Sequence, residues 1–192
     1  MKKTFKALIA ALVLLMAAPL TAKDFDWSQC WCNYGAGIKQ GDVIVNIDGG
    51  LWYGDLAYSL KNGGFILPPV MAEVQFAQPI WKLPFTFGGY FGTRAYGWVE
   101  NDQKQLYWGV FFGGEASYHM QLPPENLDLY ATTRVGGGFP LAKPASADWN
   151  PDPLDLFHPG LAFGASWYFN KAVGLNLEFG APMSKFGVSL KF

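Results

Sequence analysis

From residue 41 to the end of the chain, large apolar side chains recur at every second position. In QLYWGVFFGGEASYHM (105–120) one set runs Leu106, Trp108, Val110, Phe112. The other runs Tyr107, Gly109, Phe111, Gly113, Glu115, Ser117, His119. LDLYATTRVGGGF (127–139), LAFGASWYF (161–169), VGLNLEFG (173–180) and the terminal SKFGVSLKF (184–192) repeat the pattern. VIVNIDGGLWYG (43–54), VMAEVQFAQPI (70–80) and FTFGGYFGTRAYGWV (85–99) follow it less cleanly. A period of two is strand alternation, and these segments predict about eight strands. Proline cannot donate to a sheet ladder, so prolines are expected outside strand interiors. On this reading Pro68, Pro69, Pro140 and Pro159 fall in connections or at strand ends.

The connections alternate in length. With both ends of this region on one side, that rim carries the links 81–84, 121–126 and 170–172. The opposite rim carries 55–69, 100–104, 140–159 and 181–183, which include the two longest. Short turns on one rim and longer loops on the other fit an up-and-down barrel of the outer-membrane type.

A soluble barrel alternates too, with its large apolar residues inside. The polar set decides between the two. Over the last five strands, glycine at 109, 113, 136, 138, 164, 174, 180 and 187 outnumbers the charged residues Glu115, Asp128, Arg134, Glu178, Lys185 and Lys191. A water-facing sheet would favour long charged and β-branched residues, because glycine weakens a strand. A cramped lumen needs small residues and a few charges that pair. The apolar set then points at lipid, and the sheet must close so that no backbone group stays unpaired in hydrocarbon. Trp98, Tyr107, Trp108, Tyr118, Trp167 and Tyr168 lie towards strand ends, as an interfacial aromatic belt would. The expected fold class is all-β: a closed antiparallel transmembrane β-barrel of about eight strands with up-and-down topology.

Composition agrees with this. Charged residues make up 15% of the chain, below the ~25% of ordinary soluble proteins. Aromatic residues reach 17%, and there are 23 glycines. With a net charge of -1 and no basic block, nucleic acid is not an expected partner. At the start, Lys2, Lys3 and Lys6 precede an apolar run from Ala7 to Ala18, then Pro19 and Ala22. This is a signal-peptide pattern, expected to cover 1–22, and its apolar run is short of the ~20 residues of a spanning helix. Residues 23–40 leave three options: a tail, a lumen plug, or an extra strand that would raise the count to ten. The barrel is expected over 41–192.

The chain ends on Phe192, with Leu190, Val188 and Phe186 at every second position before it. This tail resembles the C-terminal assembly signal of bacterial outer-membrane barrels, although many of those carry an aromatic residue where Leu190 stands. Residues 41–192 resemble the small eight-stranded outer-membrane barrels of the OmpA-domain, OmpX and OmpW kind. The resemblance implies a bacterial outer-membrane location. It also implies contact with periplasmic chaperones, the barrel-assembly machinery and outer-membrane lipid.

For chemistry, the lumen-facing charges Glu73, Arg94, Glu115, Arg134, Glu178, Lys185 and Lys191 are expected to form a pairing network. Arg94 is placed beside Glu115 on a neighbouring strand. Such a network would plug the barrel, since buried charge persists only when paired. The alternative is a gated polar pathway, or a passage for small or apolar solutes lined by Tyr90, Tyr107, Phe111 and Tyr130. Outer-loop residues Trp149, Asp152, Asp155 and His158 are the candidates for meeting a host or other extracellular ligand. Glu115, Ser117 and His119 share one strand face and contain the ingredients of a lipid A acyl-modifying enzyme. No catalytic role is assigned to them, because His119 falls at the rim away from outer-leaflet lipid. Cys30 and Cys32 are one residue apart, too close for an unstrained bridge, so free or intermolecular thiols are expected. No metal or cofactor is expected.

Overall fold

The computed structural model describes residues 30–61, 63–144 and 157–192. Residues 1–22, where a signal peptide is expected, and the loop residues Trp149, Asp152 and Asp155 lie outside them. Eight strands follow one another: β1 (Val43–Trp52), β2 (Phe65–Ala77), β3 (Phe85–Glu100), β4 (Gln103–Gln121), β5 (Leu127–Ala142), β6 (His158–Tyr168), β7 (Val173–Ala181) and β8 (Met183–Lys191). Each pairs antiparallel with its sequence neighbour, and β8 pairs with β1 to close the barrel. At that seam Phe192 and Val43 exchange both backbone hydrogen bonds. The last residue of the chain is therefore part of the closure.

Alternation sets the two faces. Along β2, Met71, Glu73, Gln75 and Ala77 are buried, while Val70, Ala72, Val74 and Phe76 are exposed. The buried set of the whole barrel is rich in charge, with Glu73 and Glu178 wholly inaccessible. The exposed set is large and apolar, as at Phe91, Phe112, Phe163 and Phe186. Three of the six expected belt aromatics depart from the prediction. Trp98, Tyr107 and Tyr168 are buried in the lumen, because they share the parity of its polar positions. Trp108 is exposed on the outer face.

Prolines also depart from expectation. Pro68 and Pro69 lie inside β2, and Pro140 lies inside β5. In both places the ladder is already irregular. Register shifts between Leu67 and Val70, and again where Trp108 and Gly109 face Ala142 and Pro140. A bulge removes the demand for a ladder donor, so proline is tolerated there. Pro159 is the second residue of β6. The β3–β4 turn is Asn101–Asp102, both with positive φ (50° and 60°), as a two-residue type I′ hairpin requires.

Two elements cover the ends. Over one rim, which carries both ends of the barrel region, residues 30–42 fold as turns without a strand. Ile38 packs with Ile44 and Ala77. Ala36 N–H donates to Leu127 O (3.2 Å), Gln121 N–H to Cys30 O (3.0 Å), and the Tyr34 hydroxyl to Phe85 O (2.6 Å). The described part of this segment is a cap, and the barrel has eight strands, not ten. Cys30 is buried, Cys32 is exposed, and no disulfide joins them. Over the opposite rim sits a helix, α1 (Tyr53–Lys61), in the stretch read from sequence as a loop. Asp55 in its first turn and Lys61 in its last suit the helix dipole. The chain leaves through Gly63 at φ 63°, a conformation that glycine adopts at no steric cost.

Glycine on the lumen face makes room for rings. A Cβ on Gly164 would come 2.3 Å from Tyr130 Cζ, whereas one on Gly49, on the exposed face, would meet nothing within 4 Å. Gly164→Val should therefore lower unfolding free energy by about 1–3 kcal/mol, or prevent closure. Gly49→Val should leave it near the parent value. Denaturant titration of the refolded proteins checks both.

Candidate functional site

The lumen is filled in three layers. At mid-height lies an ion cluster built from six strands. Arg134 on β5 reaches Glu115 on β4 through Nε (2.8 Å) and Glu73 on β2 through Nη2 (2.7 Å). It also makes a two-pronged contact with Glu178 on β7, of which Nη2–Oε2 is 2.8 Å. Lys185 on β8 bonds Asp48 on β1 (2.7 Å) and Glu73 (2.6 Å), and stands 3.6 Å from Glu178. Four carboxylates thus share two cations. A guanidinium suits this place because its planar fork offers five donors.

The layer towards the termini is a chain of neutral and charged hydrogen bonds. Gln75 Nε2 donates to Glu115 Oε1 (2.8 Å). Thr86 Oγ1 donates to Gln75 Oε1 (2.5 Å). That hydroxyl has one proton, so at Thr86 it accepts from His119 Nε2 (2.9 Å). His119 Nδ1 meets Asp128 Oδ2 at 2.9 Å. Nearer still to the cap, Lys191 Nζ donates to Ala36 O (2.5 Å) and lies 4.6 Å from the Tyr168 ring centroid. The group Glu115, Ser117 and His119 does not assemble as nucleophile and base. Ser117 shares its hydrogen bond with Thr132 (2.6 Å), and all three side chains are buried.

The layer towards α1 is aromatic. Trp52, Met71, Tyr90, Phe111 and Met183 form one buried cluster, and Tyr96, Trp98 and Tyr107 another. Arg94 joins them. Its guanidinium lies 4.2 Å from the Trp52 ring centroid and 5.4 Å from that of Tyr107, and bonds Asp55 of α1 at 2.8 Å. Cation–π contact and ion pair together hold α1 over the mouth. Burial raises the Asp55 carboxyl to about 6, with Arg94 pulling the other way.

The predicted residues therefore separate. Glu73, Glu115, Arg134, Glu178 and Lys185 meet in one cluster. Arg94 does not join Glu115. It sits opposite Gly109 in the β3–β4 register, whereas Glu115 sits opposite Gly88, and its partner is Asp55. Lys191 is near the cap. His158 is not a surface loop residue. It is buried as the first residue of β6, 5.4 Å from Trp52 and 6.0 Å from Tyr90 between ring centroids. Phe186 and Val188 are exposed on the outer face of β8, with Phe192 exposed just beyond it. Leu190 shares their parity. Asp48, Asp55 and the His119–Asp128 pair were missed. Asp48 has the parity of Asn46 in β1, which is the one signal that could have found it.

No protein-family profile matches the chain, and no curated protein matches it. Among solved structures it is similar to the N-terminal β-barrel domain of Pseudomonas aeruginosa OprF. That match has 13% identity and a TM-score of 0.48, covering 80% of this chain and 98% of that one. It is also similar to a de novo designed transmembrane β-barrel, with 14% identity and a TM-score of 0.46, covering 81% and 98%. A third is the Yersinia pestis outer membrane protein Ail, with 14% identity and a TM-score of 0.40, covering 80% and 100%.

Two outcomes are expected from this geometry. Arg134→Met leaves Lys185 alone to face four buried carboxylates and should cost about 3–5 kcal/mol in a denaturant titration. Asp55 titrates higher in the folded protein (about 6) than its ordinary 3.8, so folding favours its protonated form. Its contribution to stability should fall as pH rises from about 4 to about 6. Comparing thermal midpoints across that window, Asp55→Asn should remove this part of the pH dependence.

Proposed function

We propose that the chain is a bacterial outer-membrane protein whose lumen is closed, and that it works as a rigid scaffold presenting its α1-side rim outwards. The observation that carries this reading is the inverted distribution of side chains. The barrel wall turns its charged groups inward, where Arg134 and Lys185 tie four carboxylates together, and its large apolar groups outward in a closed sheet. A bilayer satisfies such an exterior, and a closed sheet satisfies the backbone within it. The lumen supports the closed state. The two voids that flank the ion cluster are each about 10 Å³. Ligand contact then falls to α1 and to the connection between β5 and β6, with a host or other extracellular surface as the partner. Outer-membrane lipid surrounds the wall. Periplasmic chaperones and the assembly machinery would read Phe186, Val188, Leu190 and Phe192 at the β8 edge before closure. The reading includes no catalytic activity.

A second reading has one observation in its favour. The aromatic lining between the ion cluster and α1 would suit a small apolar solute, provided α1 lifts and the cluster opens.

Refolded protein in a planar lipid bilayer separates the two. Inserted but silent protein is the expected result. Discrete, reproducible steps would overturn the closed scaffold and favour passage. If α1 is the gate, Asp55→Ala should raise the frequency of those steps.

A further inference from the structure

We propose that one ordered water molecule is a built-in part of the lumen, bound between Asn46, Asp128 and Tyr130. Three polar atoms there lack a hydrogen-bond partner among the described residues: Asn46 Oδ1, Asp128 Oδ1 and the Tyr130 hydroxyl. All three side chains are at least nine-tenths buried. All three line the same void of about 10 Å³, together with Gln75, His119 and Ser166. That is the space one water needs, and a buried water makes two to four hydrogen bonds.

The hydrogen count selects the occupant. Asn46 Nδ2 already donates to Glu73 Oε2 (2.9 Å), so its amide oxygen is oriented as the open acceptor. Asp128 Oδ2 is used by His119, which leaves Oδ1 as a second acceptor. Tyr130 brings a hydroxyl proton that needs an acceptor of its own. A water donates to both acceptors and receives the tyrosine proton, so every group is satisfied. A monovalent cation would suit the two oxygens but would leave the Tyr130 proton unpaired. Leaving the site dry would strand three buried polar groups, each at the full desolvation penalty.

This water closes a circuit. The chain described above runs from Glu115 through Gln75, Thr86 and His119 to Asp128. The water carries it on to Asn46, and Asn46 leads to Glu73. Arg134 then joins Glu73 back to Glu115. The ion cluster and the His119–Asp128 pair thereby become a single closed hydrogen-bonded circuit within the lumen.

The test is a crystal structure of the refolded protein from detergent at a resolution that shows ordered water, with a parallel rubidium soak. One compact peak is expected within hydrogen-bond distance of all three atoms, with no anomalous signal. Absence of the peak overturns the proposal, as does an anomalous rubidium peak there. In Asn46→Leu, which removes one acceptor and fills the void with an apolar side chain, the peak should be lost. Its persistence there at full occupancy would equally overturn the site. The parent structure decides the question even if this variant does not fold.

Discussion

A charge inside a closed sheet has nowhere to send its field except to another charge, and Arg134 is where this constraint is met. Its guanidinium stands on β5 and reaches β2, β4 and β7. Lys185 adds β8 and β1. The strands are therefore tied across the lumen as well as around the wall. Neighbour-to-neighbour pairing makes a sheet. The cross-lumen ties favour one registration of that sheet over others, because a slip of one residue would turn these carboxylates towards the exterior. Buried ion pairs contribute less to net stability than their geometry suggests, since desolvation opposes them. Specifying register is a role they can fill here, and breaking one partner is far worse than never having had the pair.

Much of this fold was legible in the order of residues. Alternation placed the strands to within a few residues at most ends, and parity assigned nearly every side chain to the correct face. Two things were not legible. Pairing across a lumen joins strands that are distant in sequence, so Arg134 with Glu73 or Glu178 cannot be read from hairpin neighbours. Neighbour reasoning gave Arg94 to Glu115, but the register sets them six positions apart along the barrel wall. The other gap concerns ends. Pro68 and Pro69 looked like a loop because an undisturbed ladder would refuse them, and the bulge that admits them carries no sequence mark of its own. The same misplacement of β2 hid α1 and, with it, Asp55. His158 followed a proline-rich stretch, and its burial depends on β6 beginning at that residue.

The interior is graded from end to end. Hydrogen-bonded polar groups lie towards the cap, paired charges at mid-height, and rings towards α1. Solute would have to cross all three, and each resists for a different physical reason. The polar layer is held by directional bonds. The charged layer is held by the desolvation that separating ions in a narrow lumen would require. The aromatic layer is held by packing, with Arg94 and Asp55 as its fastening.

The wall itself is uneven. β4 has 19 residues and β3 and β5 have 16 each, whereas β7 and β8 have 9. At about 3.3 Å per residue, and with strands tilted by roughly 40° from the axis, the short side rises only about 23 Å. The long side stands about twice as tall, and apolar Val99, Leu106 and Leu141 lie exposed towards its top. A bilayer around this protein would meet a different hydrophobic height at each point of the circumference. Lipid beside β7, β8 and the β1 seam would be compressed, and lipid beside β3 to β5 stretched, or the whole body would lean to share the difference. The protein would thus act on the membrane as a wedge, thinning it locally along the line where its first and last strands meet.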